Sequence, residues 1–181
     1  MKVETQKYNK NEISYTIRHA LEKDANDLSI LRVRIDGETE NLDREQGEGY
    51  IDPISFKKLI KTDIDRLNNL FLVAEVQGEI VGFSRCEGSL LKRLSHKVEF
   101  GVCVLKDYWG YSIGKNLLEK SISWADSNGI KKINLTVLQT NSNAIKLYEK
   151  LGFEIEGILK NDKVLSDGKY YNTIMMGRFI D

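Results

Sequence analysis

The sequence predicts an α/β or α+β domain: a mixed sheet with helices on its faces. Strand-like apolar runs alternate with segments of helical period, and Gly- and Asn-bearing turns separate them. No internal repeat, Pro/Ser-rich linker or low-complexity stretch breaks the pattern. A chain of 181 residues fits a single domain over 1–181 that buries about 70% of its unfolded surface. Residues 1–12 are expected to form a loosely ordered extension.

Apolar alternation at Ile13, Tyr15 and Ile17 predicts the first strand. A helix follows, with Asp24 as its cap and Ala25, Leu28, Leu31 and Ile35 at helical spacing. The stretch DPISFKKLIKTDIDRLNN predicts a second helix with Pro53 in its first turn and Ile54, Leu59, Ile60 and Leu67 as apolar positions. FLVAEVQGEIVGFSRCEG reads as a hairpin turning at Gly78, and another strand runs over 97–105. The next helix, 112–127, carries an apolar stripe of Ile113, Leu117, Leu118, Ile122 and Ala125, and Gly129 stops it. KKINLTVLQ is a strand, and NSNAIKLYEKLG is a short helix from an Asn to Gly152. FEIEGILK and YYNTIMMGRFI close the chain as two strands.

The 27 basic and 27 acidic residues cancel, so no broad charge favours nucleic acid or an anionic membrane. Cys86 and Cys103 lie far apart in predicted strands and suit neither a disulfide framework nor a metal site, so buried thiols and no metal are expected. The polar start MKVETQKYNKNE lacks a signal-peptide core, and no apolar stretch approaches the ~20 residues of a membrane span. The expected setting is cytoplasmic, as a monomer or homodimer.

VLKDYWGYSIGKNLLEK runs from strand end through a Gly-bearing turn into a helix, and a helix N-terminus favours phosphate where the backbone lies bare. Gly110 and Gly114 bare it. They enclose three residues rather than the four of a Walker A loop, Lys115 precedes Asn116, and G-x-G-x-x-G is absent. The stretch instead resembles the acyl-CoA pyrophosphate loop of the GNAT family of N-acetyltransferases, [Q/R]-x-x-G-x-[G/A], with Trp109 in the Gln/Arg position and Ser112 in that of the middle glycine. NSNAIKLYEKLGFEIEG is similar to the family segment N-x-x-A-x-x-L-Y-x-x-x-G-F, with Asn141, Ala144, Leu147, Tyr148, Gly152 and Phe153 in register. The resemblance spans about 13–180. It implies a mostly antiparallel sheet of about seven strands, the fourth and fifth splayed, with about four helices.

The resemblance further implies an acetyl-CoA-dependent N-acetyltransferase acting on a primary amine of a small molecule or a protein N-terminus. A non-catalytic acyl-CoA-binding module is the alternative. Backbone groups of Val102, Cys103 and Val104 would meet the pantetheine arm. Gly110, Tyr111, Ser112, Ile113, Gly114 and Lys115 would surround the pyrophosphate, Ser112 being tolerable there if its φ is negative. Asn141 would meet the donor arm or cap its helix. Tyr148 is either the general acid that protonates the leaving thiolate or a core aromatic. Glu99 is either a general base acting through water or an ion-paired or exposed strand residue. His96 titrates in the useful range but sits near a strand start. The loop between the first two helices, with the final hairpin, would wall the acceptor site. Its seven carboxylates against Arg44 would either draw a cationic amine or form a solvated loop.

Overall fold

The computed structural model describes residues 3–180. Among these, eight strands form one sheet in the order β1-β2-β3-β4-β5-β6-β8-β7. The strands are β1 (Gln6–Lys10), β2 (Ile13–His19), β3 (Leu70–Val76), β4 (Glu79–Gly88), β5 (Lys97–Val104), β6 (Lys132–Leu138), β7 (Glu154–Val164) and β8 (Tyr170–Phe179). The helices are α1 (Ala25–Glu38), α2 (Pro53–Asp65), α3 (Ile113–Ser127) and α4 (Ser142–Lys150). Every pairing is antiparallel except β5 with β6.

The start of the chain departs from expectation. Gln6–Lys10 pairs along β2 and Tyr8 stacks on Tyr15 at 5.3 Å, while residues 1 and 2 lie outside the described residues. QKYNK shows no apolar alternation because this edge strand buries one ring rather than a whole face. It adds a strand to the expected seven, so the predicted fourth and fifth strands are β5 and β6.

The sheet's centre follows from composition. β3, LFLVAEV, has five buried residues in succession, which requires cover on both faces. α1 packs on β4 and β5, α2 on β3, and α3 on β3, β4 and β5. The turn joining β3 to β4 takes Gln77 and Gly78 through φ of 50 and 89°, the primed geometry that matches strand twist.

Two helices differ from expectation in detail. α2 turns Phe56, Ile60 and Asp63 inward, leaving Ile54 and Leu67 exposed. Asp63 can face the interior because Arg85 on β4 meets its carboxylate at 2.6 and 3.0 Å. Asp24 makes no side-chain cap to α1. Its carboxylate instead receives Arg18 at 2.6 Å and the Leu21 N–H at 2.8 Å. Burial opposes that charge, yet these bonds hold Asp24 below the usual carboxylate range.

Candidate active site

β5 pairs with β4 along its length, from Val98 opposite Gly88 to Val104 opposite Gly82. Its other edge meets β6 only at Lys97, Val98 and Glu99, and beyond Glu99 the two strands part. Backbone polar groups alternate direction along a strand. The Leu105 N–H donates to Val81 O on the β4 side at 2.9 Å. Cys103 therefore faces β4 too, while Val102 and Val104 turn their N–H and C=O groups to the gap. The gap opens into a cleft of about 1170 Å³ that all three residues line. Of these groups the Val104 C=O is taken by Trp109, while the rest, unpaired among the described residues, invite a ligand that completes the ladder.

The turn after β5 forms one end of the cleft. Gly110 has φ 85°, and Ser112 has φ 64° and ψ 14°, so the condition of a negative φ at Ser112 is not met. The chain enters α3 through a left-handed residue, at a cost of ~1–2 kcal/mol for a side chain with a Cβ. The Trp109 indole N–H donates to Val104 O at 2.9 Å, tying turn to strand. Tyr15 supports the turn from β2. Its hydroxyl donates to Tyr111 O at 3.2 Å and accepts from the Asn116 amide at 2.6 Å.

The first intrahelical bond of α3 runs from Asn116 N–H to Ser112 O at 2.9 Å. The N–H groups of Ile113, Gly114 and Lys115 consequently have no acceptor within the helix, and the dipole's positive end lies there. A Cβ on Gly114 would meet only Val104 Cγ2, at 3.9 Å. Packing does not require glycine at that position, whereas close approach of a ligand does. Both the open strand edge and this bare helix start fit a CoA thioester. The Ile113 side chain belongs to the core, and Tyr111 lies outside the cleft lining.

α4 closes the opposite wall. Asn141 Oδ1 accepts from Ala144 N–H at 3.3 Å, capping the helix while its amide nitrogen stays free to donate into the cleft. Tyr148 is 9% exposed, packs its ring 5.8 Å from Phe153 and also lines the cleft. Burial, reinforced by the neighbouring Cys103, pushes its phenol up to about 12. The proton therefore stays on the oxygen throughout the neutral range. Burial likewise pushes the Cys103 thiol up to about 12, against the pull of Arg44, so it is no nucleophile.

At the far end Glu99 stands directly opposite Glu87 of β4. Glu87 is paired to Arg85 at 2.7 Å, whereas Glu99 is exposed and has no ion-pair partner among the described residues. Both line the cleft, as do Arg44 from the α1–α2 loop and Lys163 from β7. His96 is exposed and outside the lining.

The acidic loop, either a lure for a cationic amine or a solvated loop, sends little of its charge to the cleft. Of its seven carboxylates only Asp43 lines the cleft, and Lys163 pairs with it. Asp36 holds Arg44 at 2.9 and 3.0 Å. Glu38 accepts from Lys106 N–H, Glu40 from Ser166 N–H and Glu48 from Glu45 N–H, while Asp52 caps α2. Only Asp36 is buried; most of the other carboxylates stay at the surface and bond to nearby backbone N–H groups or to Lys163.

Sequence reasoning missed Glu87, Arg44 and Lys163 as cleft residues. The register of β4 against β5 puts Glu87 beside Glu99, and two glutamates on adjoining predicted strands were the available signal. Arg44 and Lys163 leave none, because their places depend on contacts across the fold.

A family model described as Acetyltransferase (GNAT) family matches residues 19–153. The chain is similar to the L-amino acid N-acetyltransferase AaaT of Escherichia coli, 35% identical over 108 residues, which are 59% of this chain and 66% of AaaT. The match thus spans just under two thirds of that relative. It is also similar to the ribosomal protein bS18-alanine N-acetyltransferase of Haemophilus influenzae, 31% identical over 141 residues, 78% of this chain and 92% of that one. Among solved structures, the acetyltransferase of GNAT family from Streptococcus pneumoniae matches with TM-score 0.88 and 29% identity, covering 92% and 99% of the two chains.

Proposed function

Because the chain belongs to the acetyltransferase (GNAT) family, we propose that it transfers the acetyl group of acetyl-CoA to a primary amine of a small molecule or a protein N-terminus. The observation that carries this reading is the parting of β5 and β6, which leaves Val102 and Val104 open to the cleft that Tyr148 faces.

Acetyl-CoA supplies an activated acyl group: the amine forms the C–N bond as the C–S bond breaks and CoA thiolate leaves. Val102 presents an N–H to the gap, where a fixed donor stabilises charge growing on the carbonyl oxygen. Tyr148 keeps its proton at neutral pH and gives it to the departing sulfur. Glu99, without an ion-pair partner among the described residues, accepts directly or through water the proton that the acceptor ammonium must shed before its amine attacks. Val102 and Val104 hold the pantetheine arm, the α3 N-terminus holds the pyrophosphate, and Asn141 meets the arm from α4.

The cleft lining carries both signs of charge, but Arg44, Lys163 and Glu87 are already ion-paired, with Asp36, Asp43 and Arg85. Glu99, with no ion-pair partner among the described residues, suits an acceptor that brings an ammonium. The names of the two relatives, an L-amino acid and an alanine N-acetyltransferase, agree with an α-amine.

Release of CoA thiol, followed across free amino acids, polyamines and N-terminal peptides, tests this. Tyr148→Phe is expected to bind acetyl-CoA within about twofold of wild type and to turn over about a hundredfold more slowly. A wild-type rate removes Tyr148 from the mechanism. Acetyl-CoA binding without turnover of any amine favours a non-catalytic acyl-CoA-binding module instead.

A further inference from the structure

We propose that Lys10, on the N-terminal strand β1, supplies the cation that meets the donor's pyrophosphate. This rests on the reading of the cleft as a CoA site.

The turn after β5 brings no unpaired cation of its own to the cleft, and Lys106 lies outside the lining. Trp109 is neutral, and its one donor is already used on Val104 O. Lys115 is paired with Glu119 at 3.2 Å. The α3 N-terminus offers roughly half a unit of positive charge, while a pyrophosphate link carries two negative charges. A full cation nearby is the missing part.

Lys10 has the right placement. Its Nζ donates to Ser112 Oγ at 2.5 Å, and it lines the same cleft as Gly110, Ser112 and Gly114. No carboxylate pairs with it among the described residues. The Ser112 hydroxyl accepts from the ammonium and so keeps its own hydrogen for a phosphate oxygen. The strand that carries Lys10 is held against the turn: Tyr8 stacks on Tyr15, whose hydroxyl contacts both Tyr111 and Asn116. Lys10 ends β1 opposite Ile13, at a tight turn where Asn11 and Glu12 take φ of 47 and 66°. An ammonium on a flexible stem suits a point contact with phosphate. The turn and its cation thus come from segments about a hundred residues apart.

Titration calorimetry of wild type, Lys10→Gln and Lys10→Arg with CoA and with dephospho-CoA, which lacks only the 3′-phosphate, tests the proposal. Lys10→Gln is expected to weaken both ligands about tenfold, and Lys10→Arg to stay within about threefold of wild type. Near 1 M salt, where the screening length is ~3 Å, the gap between wild type and Lys10→Gln is expected to shrink. The unliganded melting temperature should not move, since Lys10 is exposed. Equal affinity of wild type and Lys10→Gln for CoA overturns the proposal. A loss seen with CoA but not dephospho-CoA overturns it in favour of the 3′-phosphate. A loss independent of salt that accompanies a lower melting temperature overturns it in favour of a structural role. If wild type itself binds no CoA, the donor reading fails before any variant is compared.

Discussion

Ser112 concentrates the local physics of the site. It sits at φ 64° with a Cβ, in a region that suits glycine, and it receives Lys10 there. Ser112→Gly is expected to raise unfolding free energy by about 1 kcal/mol in urea titration, by relieving that strain. A loss of stability instead would mean that the hydroxyl's contacts outweigh the backbone cost. Trp109 shows how a side chain without charge can occupy the signature position: it braces the turn against Val104. At Tyr148, desolvation raises the phenol further above its ordinary range and keeps its proton on the oxygen, which the proposed proton-donor role requires.

At the scale of elements, α2 shows where periodicity misleads. Ile54 and Leu67 look like core positions, yet Phe56, Ile60 and Asp63 face inward because Arg85 makes a buried aspartate tolerable. The start of the same helix follows the local rules: Asp52 accepts from the N–H groups of Ile54 and Ser55 at 2.9 and 3.1 Å, and Pro53 follows at N1. Asp52→Ala is expected to cost about 1 kcal/mol, measured by chemical denaturation, with donor affinity unchanged because Asp52 is outside the cleft lining. An unchanged midpoint would show that water replaces the cap. β1 escaped sequence reading because an edge strand of polar residues has no periodic signal, although it delivers Lys10 and braces Tyr15.

At the scale of the molecule, the parted sheet makes one strand behave in two ways. In the free protein the amides of Gly101 and Cys103, turned to β4, should exchange with solvent more slowly than those of Val102 and Val104. Acetyl-CoA is expected to slow exchange at Val102 by about tenfold or more. Amide exchange that already protects Val102 and Val104 as well as Gly101 and Cys103 in the free protein would mean that β5 and β6 stay joined.

The order of strands and helices from β2 onward, the hairpin at Gly78, the turn from β5 into α3 and the Asn141 to Phe153 segment were all legible in the sequence. Each depends on local rules, of side-chain period, turn geometry and capping, that act over a few residues. The parting of β5 from β6, which only the family resemblance implied, the pairing of the acidic loop, the Glu87–Glu99 neighbours and the approach of Lys10 to Ser112 were decided by tertiary structure. Each joins groups distant along the chain, and their interaction energies exist only once the sheet's register has brought them within bonding distance.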